Sequence, residues 1–237
     1  MYGLQAVHWQ RIYRIFSAEK DGLRWVKLFG SRARGDARLT SDVDLAFSGR
    51  AEVRARLSQA LEESALPYSF DLVDYDRQGN EKLRQCIEAE GKLLFAVEGG
   101  RPSMTREQVR LKWEEYHSAI GRLKRALAQK PDEEALYLDA TIQRFEFSFE
   151  LAWKLLRAVL AYEGIEVSSP RSSLRESWKQ GWIEAGEMWL DMLEKRNLSS
   201  HTYQEATARE IYRHIQESYM ALFRTLDEKV AAWLKES

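Results

Sequence analysis

Gly30-Ser31-Arg32-Ala33-Arg34-Gly35, followed after a short gap by Ser41-Asp42-Val43-Asp44-Leu45, decides how this 237-residue chain is read. The first string follows Trp25-Val26-Lys27-Leu28-Phe29, an apolar run of β character. A glycine–serine turn in that position exposes backbone N–H groups and a hydroxyl to phosphate. Arg32 and Arg34 bring charge that can neutralise phosphate, and Gly35 lets the backbone turn closely. In the second string, residues i and i+2 of a strand project from one face. Asp42 and Asp44 therefore present two carboxylates side by side, which repel one another unless a cation sits between them. Mg²⁺ takes oxygen ligands and bridges them to triphosphate oxygens. Two such ions stabilise both the attacking and the leaving oxygens of an in-line displacement.

A site of this kind calls for a third carboxylate. Phe70-Asp71-Leu72-Val73 places Asp71 inside an apolar strand, where burial without a partner is costly. Asp74 and Asp76 are nearby alternatives at the end of that strand. Alternation puts them on the face opposite Asp71, so the two choices exclude one another.

Outward from these strings the chain divides in two. Short β-like runs occupy 25–29, 43–47, 70–73 and 93–97, with helical stretches over 51–64 and 78–90. This is the pattern of a small α/β or α+β domain, taken to span residues 1–100. Glu98-Gly99-Gly100-Arg101-Pro102-Ser103 interrupts either kind of regular element and predicts a linker over 98–104. Thr105 with Gln108 then forms a capping-box start. From 105 to 237 the pattern is helical, with Ile142, Phe145, Phe149, Trp153, Leu156 and Leu160 recurring at helical spacing. Helices are predicted over 106–129, 172–180, 183–195 and 202–226. The second half reads as an antiparallel bundle with its tryptophans and phenylalanines in the core. The fold class expected overall is α+β, a small sheet domain followed by an all-α domain.

Composition narrows the function classes. Hydrophobic residues make up 44% and the formal net charge is −1, so the chain supports a packed core and is not a bulk polycation. Cys86, the only cysteine, excludes a disulfide framework and a thiolate zinc site within one chain. His8, His117 and His214 lack ligand-spaced neighbours and read as surface or packing residues. The N-terminus lacks a signal-peptide pattern and no apolar run reaches membrane-spanning length, so a cytoplasmic protein without a membrane partner is expected.

A second constellation lies in the bundle, at Arg196-Asn197-Leu198-Ser199-Ser200-His201-Thr202-Tyr203. Thr202 and Glu205 are spaced as a capping box, which places Tyr203 in a first helical turn, where the dipole favours phosphate. Arginine holds phosphate bidentately, and histidine serves as base or acid toward a ribose hydroxyl. Spacing alone equally allows Arg196 to cap the preceding helix, with His201 and Tyr203 as interhelical polar contacts.

Both constellations resemble known families. Gly30-Ser31, Asp42-x-Asp44 and Asp71 resemble the minimal nucleotidyltransferases of the DNA polymerase β superfamily, over roughly Gln5–Val97. That resemblance implies a small mixed sheet flanked by helices. It also implies transfer of a nucleoside monophosphate, with ATP as donor and Mg²⁺ held by Asp42, Asp44 and Asp71. Arg196-x4-His201-x-Tyr203 and the stretch from Ile142 to Lys154 resemble HEPN domains of the nucleotidyltransferase substrate-binding type, over roughly Glu107–Leu226. This second resemblance implies a dimeric bundle and RNA as a partner, with Arg196 and His201 as the active pair of a metal-independent ribonuclease. In two-gene toxin–antitoxin pairs of these families the transferase adds AMP to the motif tyrosine, here Tyr203. The present chain departs from such pairs in carrying both parts in one polypeptide, which raises the effective concentration of one toward the other.

Overall fold

The computed structural model describes residues 1–38, 40–129, 136–199 and 205–236. The chain forms two compact units, Met1–Leu111 and Lys112–Ser237. In the first unit the elements run α1 (Ala6–Ala18), β1 (Leu23–Leu28), α2 (Gly30–Arg34), β2 (Val43–Gly49), α3 (Val53–Glu62), β3 (Phe70–Asp74), α4 (Glu81–Glu90), β4 (Lys92–Glu98) and β5 (Arg101–Ser103). The strands form one mixed sheet in the order β3-β2-β1-β4-β5. Only β2 and β3 are parallel; the crossover between them is α3.

The two faces of the sheet are filled unequally. One face carries Val26, Leu28, Leu45, Phe47 and Leu72, against Trp9, Ile12 and Phe16 of α1 and Val53, Leu57 and Leu61 of α3. The other has a thin cover, in which Ala46 packs with Phe29 and with Ile87 of α4. Alternation along β2 and β3 places Asp44 with Ala46, and Asp71 with Val73, on this thinner face. A fully packed face supports the sheet while the other leaves room for polar groups.

Helix α1 was not foreseen. Its buried residues Trp9, Ile12 and Phe16 follow helical spacing, a signal present in the sequence. The stretch 98–104, expected as a linker, is ordered: Gly99 (φ 56°) and Gly100 (φ 76°) make the two-residue turn of a hairpin in which Glu98 pairs with Arg101. Two positive φ angles are what such a turn requires, so the glycines fold the chain back rather than release it. Pro102 is accommodated on the edge strand β5.

Helix α5 (Arg106–Leu127) follows, and the division between the units falls within it. Thr105 and Gln108 exchange the two capping-box hydrogen bonds at 2.9 and 3.3 Å. Thr105 Oγ1 also donates to Leu94 O at 3.0 Å, which fixes the start of the helix to β4.

The second unit continues with α6 (Leu136–Tyr162), α7 (Pro170–Lys179), α8 (Gly186–Ser199), α9 (Glu205–His214), a π-helical turn (Ile215–Tyr219) and α10 (Met220–Trp233). Phe145, Phe149, Leu156 and Leu160 of α6 are buried as the periodicity required, whereas Ile142 and Trp153 are half-buried. Phe145 stacks on Tyr219 with ring centroids 5.6 Å apart, and Trp189 meets Phe223 edge-on. The Tyr116 hydroxyl donates to Phe223 O at 2.8 Å, joining α5 to α10. Helix α7 begins two residues earlier than predicted because Pro170 occupies its first turn and Ser169 caps it. The helix expected over 202–226 is interrupted by the π turn, where the Tyr219 hydroxyl donates to Asp191. The fold class is α+β, a mixed-sheet domain followed by a helical region. No helix of the described residues is long and apolar enough to cross a membrane.

Candidate nucleotidyltransferase site

The parallel register of β2 and β3 sets Asp44 directly beside Asp71. Asp42 precedes β2 rather than lying in it, two residues before Asp44 and exposed. Both neighbours act on Asp44: its carboxyl is raised above the ordinary carboxylate value by partial burial first, then by the negative charges of Asp71 and Asp42. Arg32 and Arg34 oppose that shift. Among the described residues no three His, Cys, Asp or Glu side chains stand ready-made to hold a metal ion. The acids thus share a neighbourhood in which negative charge is concentrated, without forming a closed cage.

Asp71 and its alternatives stand in different surroundings. Asp74 is buried; its carboxylate accepts from Arg77 N at 3.3 Å and Arg77 Nη1 at 2.7 Å, capping a single 3₁₀ turn. Asp76 accepts from Ser48 Oγ at 3.1 Å, Gly49 N at 2.9 Å and Arg24 Nη2 at 2.7 Å. Both serve local structure. Asp71 is exposed and adjoins Asp44.

Gly30 sits against the acids. A Cβ built on it would lie 2.3 Å from Asp44 Oδ2, and its φ of +70° is one that L side chains rarely adopt. The preceding Phe29 N–H donates to Asp44 O at 3.0 Å, which ties the glycine–serine turn to β2. Gly30 and Ser31 open α2, so their N–H groups have no acceptor within the helix. This turn is one short helical turn. Three carboxylates are hard oxygen donors suited to Mg²⁺, and the missing side chain at Gly30 keeps the space beside Asp44 clear. The donor set fits a divalent cation.

The two arginines of the turn differ. Arg34 is exposed and paired with Glu90 of α4 at 2.8 Å and Asp36 at 3.3 Å. Those pairs hold its guanidinium above the ordinary arginine value. Arg32, expected among the phosphate contacts, is 1% exposed and points into the domain. Its guanidinium donates to backbone carbonyls instead.

In the second unit Arg196 lies in the last turn of α8, and its Nη2 pairs with Glu150 Oε1 of α6 at 2.6 Å. The other oxygen of Glu150 accepts from Trp153 Nε1 at 3.0 Å. Asn197 Oδ1 accepts from Arg196 Nη1 at 3.2 Å. Arg196 therefore bridges two helices rather than merely capping its own. His201 and Tyr203 lie outside the described residues, as does the Thr202 cap.

The mixed-sheet unit is a nucleotidyltransferase domain joined in one chain to a helical substrate-binding domain. Residues 111–232, half of the chain, match the family of nucleotidyltransferase substrate binding protein like domains, and the chain belongs to that family. Residues 10–98 match the polymerase beta nucleotidyltransferase family. The probable ribonuclease HepT of Haemophilus influenzae is 31% identical over 81 residues, which are 32% of this chain and 56% of HepT. The chain thus spans little more than half the length of that curated relative. A Thermus thermophilus protein of known crystal structure is 33% identical, with a TM-score of 0.43, over 51% of this chain and 99% of its own. A toxin–antitoxin crystal structure with AMP-PNP is 24% identical, with a TM-score of 0.33, over 48% of this chain and 91% of its own.

Proposed function

We propose that this chain transfers a nucleoside monophosphate from a triphosphate to a hydroxyl acceptor, with ATP as donor and Tyr203 of its own bundle as acceptor: the acceptor oxygen bonds to the α-phosphorus and gives up its proton, and the α–β anhydride bond breaks to release pyrophosphate. The reading is supported above all by Asp44 and Asp71 lying in register on adjacent parallel strands, with Gly30 pressed against Asp44. Asp42, Asp44 and Asp71 are the residues to hold Mg²⁺. When bound, Mg²⁺ supplies charge that stabilises the oxygens of an in-line displacement at the α-phosphorus. The N–H groups of Gly30 and Ser31 and the Ser31 hydroxyl take the triphosphate oxygens. Arg34 is exposed at the rim, where its ion pairs with Glu90 and Asp36 are weak enough to give way to a polyphosphate. The test is incubation of the full chain with radiolabelled ATP and Mg²⁺, followed by peptide mapping. Label on the peptide containing Tyr203, absent from Asp42→Asn/Asp44→Asn, is the expected result. Equal labelling of that variant would overturn the reading.

A second reading has two observations in its favour. The Glu150 clamp fixes the Arg196 guanidinium at the end of α8, and the HepT relative is named a probable ribonuclease. On this reading Arg196 and His201 cleave RNA without a metal, in a dimer formed through the bundle. RNA cleavage that persists in EDTA and is lost in His201→Ala would support it; cleavage that requires Mg²⁺ would exclude it.

A further inference from the structure

Arg32 sits one residue beyond Ser31 in the glycine–serine turn, yet its guanidinium is buried in the domain against backbone carbonyls. It is 1% exposed. Its Nε lies 3.1 Å from Ser41 O and 3.0 Å from Asp42 O, and its Nη2 lies 2.5 Å from Ser41 O. From Nη1 it donates to Tyr2 O at 3.1 Å. The guanidinium also stands over the Tyr68 ring, 5.3 Å from its centroid, and the Tyr68 hydroxyl meets His8 Nδ1 at 2.8 Å. Gly3 is packed against the same group; a Cβ there would lie 2.9 Å from Nη1.

This is an expensive arrangement for the fold. Removing a guanidinium from water is costly unless its donors are satisfied, and an apolar residue would fill the position at lower cost. What arginine provides is a rigid fork that grips several carbonyls at once. Two of the gripped carbonyls, those of Ser41 and Asp42, belong to the segment that presents the first acid. That segment lies outside β2, so the sheet ladder does not fix it as it fixes Asp44 and Asp71. Val43 N donates to Ser69 O at 2.9 Å, which anchors the chain only from the next residue on.

We propose that Arg32 is a positioning residue of the transferase site: by holding the Ser41 and Asp42 carbonyls it fixes the Asp42 carboxylate relative to Asp44 and Asp71 for a divalent cation. Tyr68 is its supporting face. This inference rests on the reading of the three acids as metal ligands. It replaces the expectation that Arg32 binds phosphate.

Titration of the full chain with Mn²⁺, followed by electron paramagnetic resonance without nucleotide, tests it apart from activity. Arg32→Met, with its fold checked by circular dichroism, is expected to bind Mn²⁺ about tenfold more weakly, as outer-shell substitutions do. Arg32→Lys, a point charge that cannot span the carbonyls, is expected to restore only part of the affinity. Arg34→Ala removes a positive charge near the acids, so it should not weaken Mn²⁺ binding but should raise KM for ATP. Unchanged Mn²⁺ affinity in folded Arg32→Met, or a raised KM for ATP alone, would overturn the positioning role. Should Arg32→Met not fold, Tyr68→Leu removes the supporting face without orphaning the carbonyls. A weakening in the same direction supports the role, and none contradicts it. Absence of Mn²⁺ binding by the wild type would instead remove the underlying reading of the acids.

Discussion

Asp42, Asp44, Asp71, Asp74 and Asp76 are chemically identical, and position alone gives them different work. Asp44 is half-buried beside two other carboxylates, a placement that costs stability in the absence of a cation. Asp44→Asn is therefore expected to abolish transfer while raising the melting temperature of the ligand-free protein by about 1–3 °C, a trade of function against stability that calorimetry can read. Asp76 is the reverse case. Although partial burial alone raises its carboxyl, hydrogen bonds from Gly49 N–H, Arg24 and Ser48 outweigh that and hold it below the ordinary carboxylate value. A folded-state value below the unfolded one gives stability that is present above the unfolded value and lost as pH falls through the folded one. Asp76→Asn should thus be less stable than wild type at pH 7, and the gap should close as pH falls below the ordinary aspartate value in denaturant melts. In the sequence, strand alternation only made Asp71 and the pair Asp74 and Asp76 exclude one another, and the family resemblance pointed to Asp71. The burial of Arg32 was not legible: a string of charged residues after Gly-Ser reads as phosphate contacts, and only the path of residues 41–42 shows what the guanidinium holds.

At the scale of elements, the strands and most helices follow from apolar periodicity, whereas the connections do not. Glycines and a proline together at 99–102 signalled a break, and a tight hairpin uses the same residues, so composition could not separate the two. The glycine–serine turn shows the same limit. The sequence predicted the turn, but its contact with β2 depends on tertiary structure, since Gly30 leaves no room for a methyl group beside Asp44. Gly30→Ala should then abolish nucleotide binding and destabilise the first unit by about 1–3 kcal/mol in urea melts, from strain at a positive φ plus the clash. Thr105→Ala removes both a cap and the bond to Leu94 O, and should cost about 1–2 kcal/mol without affecting Mn²⁺ binding.

Across the whole molecule, the chain divides into two compact units, each with its own buried core. The residues that were hardest to read are those whose roles are set by distant neighbours, such as Arg196 by Glu150 of α6. Phe145 lies at the centre of the bundle, touching Phe149, Tyr219 and Phe223. Phe145→Ala should cost the second unit about 3–5 kcal/mol, read as an earlier unfolding step, while nucleotide binding by the first unit persists. The most direct test of the account addresses the acids together. Calorimetric titration of the full chain with a non-hydrolysable ATP analogue and Mg²⁺ should show one site, weakened at least about tenfold in each of Asp42→Asn, Asp44→Asn and Asp71→Asn but unchanged in Asp76→Asn. Wild-type affinity in the Asp44→Asn protein would contradict the account.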